Sequence, residues 1–167
     1  MKYVDAKIVF QEIPDEITLA ISISGCTIHC AGCHSKYLWD DIGELLTIDS
    51  LKQLIEKNSG ITCVCFMGGD SNPLLISKFA YFIKSNYPSL KVAWYSGQEF
   101  LINGFEKVLP YFNYIKLGPY KQECGGLDNP NTNQKLFKII NVNNLYKMVD
   151  ITYKFWKTNN NETKNIH

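Results

Sequence analysis

The sequence lacks arginine altogether: its 17 basic residues are all lysine. Bidentate guanidinium clamps on phosphate or carboxylate are therefore not available to it. It also lacks an excess of charge of either sign. Against the 17 lysines stand 16 acidic residues, a formal net charge of +1, so no global attraction to nucleic acid or to a membrane surface is implied. No apolar run approaches the roughly 20 residues that span a bilayer as a helix. The first ten residues carry Asp5 where a secretory leader has an unbroken apolar stretch, and a cytoplasmic protein is expected. No Ser-His-Asp or paired-carboxylate arrangement supports hydrolysis.

What is present is ordinary for a globular chain, with 46% hydrophobic and 20% charged residues. A chain of this length can hide roughly 70% of its unfolded surface, enough to fold without disulfides. One domain is expected over residues 1–156. The remainder, 157–167, is polar, contains Asn159, Asn160 and Asn161, and is expected to be a flexible tail.

Strand and helix patterns alternate. Ile17, Leu19, Ile21 and Ile23 interleave with Thr18, Ala20, Ser22 and Ser24, a period of two that means strand. One face of that strand is large and aliphatic and the other small and polar, as fits a strand between a helix layer and a ligand cavity. Val4 to Ile13 reads as an edge strand with a turn at Pro14-Asp15. Ile48, Leu51, Leu54 and Ile55 form a helical stripe that Thr47 or Asp49 can cap. Ile61 to Met67 is a dense apolar strand stopped by Gly68-Gly69. Pro73 opens a second helix with the stripe Leu75, Phe79, Phe82 and Ile83. Leu90 to Tyr95 and Tyr111 to Leu117 read as strands, with Glu99 to Leu109 as a helix between them. A loop from Gly118 to Asn133 leads to a hairpin, Lys135 to Val142 and Leu145 to Thr152, turning at Asn143-Asn144. The order predicts an α/β fold, an open partial (β/α) barrel of about six mainly parallel strands. Its ligand rim would lie at the C-terminal ends of the strands.

Three of the six cysteines fall in Cys26-Thr27-Ile28-His29-Cys30-Ala31-Gly32-Cys33, a C-x3-C-x2-C spacing directly after a strand. Clustered cysteines in a chain without a leader point to metal or redox chemistry. Structural zinc is one reading, with His29 or His34 as fourth ligand, but no second ligand pair is visible. Three unrelated buried cysteines are another. The third is a four-iron cluster on three thiolates, which leaves one iron open to an external ligand. Cys63 and Cys65 share one side of a strand and read as core. Cys124 lies alone in a Gly-rich loop.

On these residues the chain resembles the radical S-adenosylmethionine (radical SAM) enzymes. The resemblance implies one 4Fe-4S cluster on Cys26, Cys30 and Cys33, with S-adenosyl-L-methionine chelating the open iron. Met67-Gly68-Gly69-Asp70 is similar to the family's Gly-Gly-Glu segment, with Asp70 as the acid. Cosubstrate contacts are implied at Gly32, Cys33, His34, Gly68, Gly69, Asp70 and Ser96. Further blocks resemble the activating proteins of anaerobic ribonucleoside-triphosphate reductase: Ser24-Gly25-Cys26, Gly32-Cys33-His34-Ser35, Leu38-Trp39-Asp40-Asp41, Tyr95-Ser96-Gly97, Leu117-Gly118-Pro119-Tyr120, Gly125-Gly126-Leu127 and Asn133-Gln134. They imply a radical SAM-type barrel, cleavage of the cosubstrate to a 5′-deoxyadenosyl radical, and formation of a glycyl radical on the large reductase subunit. A reduced flavodoxin or ferredoxin is the implied electron donor. Gly32 stands where many radical SAM loops have an aromatic, so adenine contact falls to His34 or Tyr37. Lys135 stands where arginine is usual, and Asn113 near the place of an aspartate. The rival readings are an activase for another glycyl-radical enzyme, a small radical SAM enzyme of cofactor biosynthesis, and a zinc-binding interaction module.

Overall fold

Eight strands form one sheet in the order β3-β1-β2-β4-β5-β6-β7-β8 in the structure, a computed structural model that describes residues 1–156. The expected tail over 157–167 lies outside the described residues. The strands are β1 (Lys2–Val9), β2 (Thr18–Ile23), β3 (Glu44–Leu45), β4 (Cys63–Met67), β5 (Lys91–Tyr95), β6 (Tyr114–Leu117), β7 (Lys135–Val142) and β8 (Leu145–Asp150). Two α-helices, α1 (Ile48–Lys57) and α2 (Pro73–Asn86), lie between them in sequence. Among the described residues, no helix is long and apolar enough to cross a membrane.

The expectation of about six mainly parallel strands needs correction. Only β2, β4, β5 and β6 pair in parallel; the other four of the seven neighbouring pairs are antiparallel. Connection length accounts for the β1–β2 and β7–β8 pairs. Parallel neighbours need a crossover of a dozen residues or more, whereas a tight turn makes its strands antiparallel. Asn143 and Asn144, at φ 53° and 65°, turn β7 directly into β8. The link from β6 to β7 is long, yet β7 runs antiparallel to β6. It therefore begins at the end where β6 finishes, and residues 118–134 stay at the C-terminal rim. The strand expected over Val4 to Ile13 ends at Val9, and the two-residue β3 pairs outside its first residues.

The side-chain period of two divides the sheet into unlike faces. Leu19, Ile21, Val64, Phe66, Val92 and Ile115 are fully buried against the helices, with Leu51 of α1 and Ile76, Phe79 and Ile83 of α2. Each large aliphatic or aromatic side chain so buried contributes about 1.5–3 kcal/mol. Local signals set the helix starts. Thr47 and Ser50 form a reciprocal capping box on α1, and the Asn72 side chain accepts from Leu75 N at 3.1 Å ahead of Pro73. Asn113 has a structural place, its Oδ1 accepting from Val92 N at 3.0 Å and Lys84 Nζ at 3.1 Å.

The helix expected over Glu99 to Leu109 does not form. Residues Phe105–Tyr111 make a 3-10 helix instead. Gly104 at φ 85° and Pro110 bound and interrupt it, and both oppose an α-helix.

The opposite face carries Cys63, Cys65, Ala93, Tyr114 and Leu136, which pack with Ile13 and Ile151 rather than with a helix. At the N-terminal ends of the parallel strands, the buried Glu16 closes this face. Its carboxylate accepts from Tyr114 Oη at 2.9 Å and Thr62 Oγ1 at 2.7 Å and pairs with Lys91. Towards the other end lies an open groove of about 1050 Å³ whose lining includes Glu12, His34, Met67, Tyr95, Tyr120 and Phe155.

Candidate metal centre

The cysteine loop leaves β2 through a clamp. Ser24 is buried and its Oγ donates to Ile42 O at 2.6 Å. Gly25 turns at φ 70°, its N–H donating to Asp40 O at 3.1 Å, and Cys26 N donates to Leu38 O at 2.9 Å. Residues 38–42 thus hold the loop from outside. Cys33 N donates to Cys30 O at 3.1 Å, folding the last two cysteines into one turn. The Cys33 Sγ accepts from Ser35 N at 3.3 Å. His29 and Gly32 take left-handed backbone, at φ 50° and 73°. Cys26, Cys30 and Cys33 are all free and half-buried.

The other rim loops meet this one. A Cβ on Gly97 would lie 2.7 Å from Ile28 Cγ1, so the turn after β5 packs on the cysteine loop. A Cβ on Gly32 would lie 2.8 Å from Gln122 Oε1, so the long loop after β6 covers it. His34 meets the edge of Tyr120 at 5.4 Å between ring centroids. Asp70 accepts from Ser96 Oγ and, at 3.0 Å, from Gly97 N. Its carboxylate therefore ties the turn after β4 to the turn after β5. Gly68 N donates to Tyr95 O at 2.9 Å.

Of the residues expected around a cosubstrate, Gly32, Cys33, His34, Gly68, Asp70 and Ser96 lie on these interlocked loops. Gly69 does so with a different reason for being glycine. Its missing Cβ points at α2, 2.6 Å from Ile76 Cδ1. Helix packing, rather than close approach of a ligand, requires glycine on that side. Tyr37 is exposed. Lys135 pairs with Asp150 at 3.3 Å beside the β7–β8 hairpin.

Lys116 escaped the sequence reading. It occupies the inner face of β6 in register with Tyr95, Met67 and Ser22. Its Nζ donates to Gly118 O at 2.6 Å and Ser96 O at 3.3 Å. Burial pushes the ammonium down to about 8, against the opposing pull of Asp70 and Cys30. A lysine alternating with Ile115 and Leu117 directly before Gly118-Pro119 was the available signal. Gln134 was named only as part of a motif. It is buried and donates from Nε2 to Gly118 O at 3.2 Å.

A family model described as a 4Fe-4S single cluster domain matches residues 17–131. The chain belongs to the 4Fe-4S single cluster domain family. It is thus an iron–sulfur protein, and the match runs from β2 into the rim loop before β7. No curated protein and no solved structure matches the chain.

For a 4Fe-4S single cluster domain protein, the donor set must suit thiolate ligation. Cys63 and Cys65 do not suit it: both are fully buried in β4, where burial pushes the Cys63 thiol up to about 12 and the Cys65 thiol well above its ordinary value. A thiol is a poor ligand until deprotonated. Cys26, Cys30 and Cys33 suit it, being half-buried on one short loop. Among the described residues, no group of three or more His, Cys, Asp or Glu side chains could hold a single metal ion. A cluster divides its thiolates among several irons, whereas structural zinc gathers four donors at one point. Beside the loop stands Trp39, half-buried, whose Nε1 has no hydrogen-bond partner. Its ring stacks on His29 at 4.6 Å.

Proposed function

We propose that the protein is a radical SAM activase that forms a glycyl radical on an anaerobic ribonucleoside-triphosphate reductase, using one electron from a reduced flavodoxin or ferredoxin. The observation that carries this reading is the set of three free thiols on one loop, whose next residue, His34, lines an open groove. When bound, the cluster supplies an electron and an open iron for reductive cleavage of S-adenosylmethionine.

The chain's own residues do the rest. Cys26, Cys30 and Cys33 would hold the cluster through their thiolates. Asp70 is held by Ser96 and Gly97, and its remaining lone pairs would accept from the cosubstrate ammonium. Lys116 provides, in a chain without arginine, a buried cation for the cosubstrate carboxylate. The groove beside His34 and Tyr120 admits a glycine-bearing loop of the partner, which becomes both substrate and lid and excludes water from the radical.

The test is electron paramagnetic resonance on an anaerobic mixture of reduced protein, S-adenosylmethionine and reductase deuterated at the glycine Cα. A collapsed doublet, with deuterium recovered in 5′-deoxyadenosine, is expected. Cleavage of S-adenosylmethionine without a partner radical or label transfer would sink the activase reading. It would favour a small-molecule radical SAM enzyme.

A further inference from the structure

We infer that Gln134 is a positioning residue of the cosubstrate site: it holds the Gly118 carbonyl, and through it the ammonium of Lys116. This rests on the reading of Lys116 as the cation for the cosubstrate carboxylate. The Gly118 oxygen takes two donors, Lys116 Nζ at 2.6 Å and Gln134 Nε2 at 3.2 Å. A carbonyl only accepts, so it is the amide nitrogen of Gln134 that meets it. Both residues are buried.

The peptide that carries this oxygen is unusually free. On one side stands Gly118, in left-handed backbone at φ 105°, the residue type with the widest conformational freedom. On the other stands Pro119, which has no N–H to anchor the plane. The neighbouring peptides are tied elsewhere: Gly118 N donates to Gln98 O at 2.7 Å, and Pro119 O accepts from Asn133 Nδ2 at 2.9 Å. The Gly118–Pro119 plane itself is therefore set by what its oxygen accepts. Gln134 is the neutral one of its two donors and is anchored where β7 begins. Its own N donates to Thr132 Oγ1 at 3.2 Å, and a Cβ on Gly118 would lie 3.0 Å from its Cα.

The plane sets the ammonium in turn. Lys116 has three N–H donors, and Gly118 O and Ser96 O take two. Those two carbonyls fix the direction left to the third. Ser96 also donates from Oγ to Asp70, so cation and acid are both bound to one residue. Released from Gln134, the Gly118 oxygen can turn, and the remaining N–H of Lys116 turns with it.

The experiment measures equilibrium binding of two ligands to anaerobically reconstituted protein of equal iron content. They are S-adenosylmethionine and decarboxylated S-adenosylmethionine, which keeps the sulfonium and the amine and lacks the carboxylate. In Gln134→Met, affinity for S-adenosylmethionine should fall by roughly fivefold, the equivalent of one neutral hydrogen bond, with affinity for the decarboxylated ligand unchanged. Lys116→Met should show the same contrast, and adding Gln134→Met to it should cost nothing further. Equal losses for both ligands, additive losses in the double variant, or no loss in Gln134→Met overturn the inference and leave the role of Lys116 standing. Lys116→Met that binds both ligands as the wild type does overturns the reading of Lys116 and this inference together. Should Gln134→Met fail to hold iron, Gln134→Glu decides. Its carboxylate keeps the shape, cannot donate to Gly118 O and draws the ammonium to itself, so the same contrast is expected, and equal losses for both ligands overturn the inference.

Discussion

Cys63 and Cys30 have the same side chain and opposite surroundings. Cys63 lies on β4 with no exposure and a thiol pushed up to about 12, whereas Cys30 lies half-buried on a turn. Cys26→Ala, Cys30→Ala and Cys33→Ala should each abolish stable cluster binding, measured as iron per chain after anaerobic reconstitution. Cys63→Ala should retain full iron and lose on the order of 1 kcal/mol of stability to the small cavity it leaves. Gly69→Val is a second residue-scale test. With φ at 92° and Ile76 Cδ1 2.6 Å from the added Cβ, the variant should lose at least about 2 kcal/mol in denaturant unfolding. Glu16→Ala should cost on the order of 3 kcal/mol, since it strands Tyr114 Oη and Thr62 Oγ1 and removes the partner of Lys91. That variant lies at the far end of the strands and should keep its cluster.

The hairpin shows how far elements could be read from the sequence. Asn143 and Asn144 lie in left-handed backbone, the conformation that asparagine tolerates and that a two-residue hairpin turn demands. The alternation in β2 was legible for an equally local reason, because its large aliphatic residues Leu19, Ile21 and Ile23 share the face buried in the main core. The stretch from Glu99 to Leu109 was not. Leu101, Phe105, Val108 and Leu109 imitate a helical stripe, and the left-handed Gly104 and Pro110 decide against it. Strand β3 is two residues long, too short for any periodicity. The convergence of the rim loops could be read from strand ends; for Lys116 the only local signal was its alternation with Ile115 and Leu117, since the carbonyls of Ser96 and Gly118 that receive it belong to turns brought there by the fold. One electrostatic consequence belongs to the hairpin. Burial alone would raise the Asp150 carboxyl; hydrogen bonds from Thr152 and Lys135 outweigh it and hold the group below its ordinary value. A depressed carboxyl stabilises the fold above its unfolded pKa and loses that contribution as pH falls through the folded value. Asp150→Asn should therefore flatten the fall in stability below about pH 4, read from unfolding midpoints.

At the scale of the molecule, helices cover one face of the sheet, and segments far apart in sequence cover the other. Ile13 and Ile151 enter the same buried cluster. Lys154 pairs with Asp15, and Tyr95 Oη donates to Glu12 O. This face is thus completed by contacts between residues near 13 and residues near 151, with 139 positions separating Asp15 from Lys154. During synthesis at roughly 5–20 residues per second, the chain from Cys33 to Ile151 takes on the order of ten seconds to emerge. For that interval the cysteines are already outside the ribosome and the face behind them is unsealed. Contacts of such long sequence separation also form slowly once the chain is free. Ribosome-arrested chains ending before Lys135 should show Cys63 and Cys65 open to alkylation, and chains carried past Phe155 should show them protected.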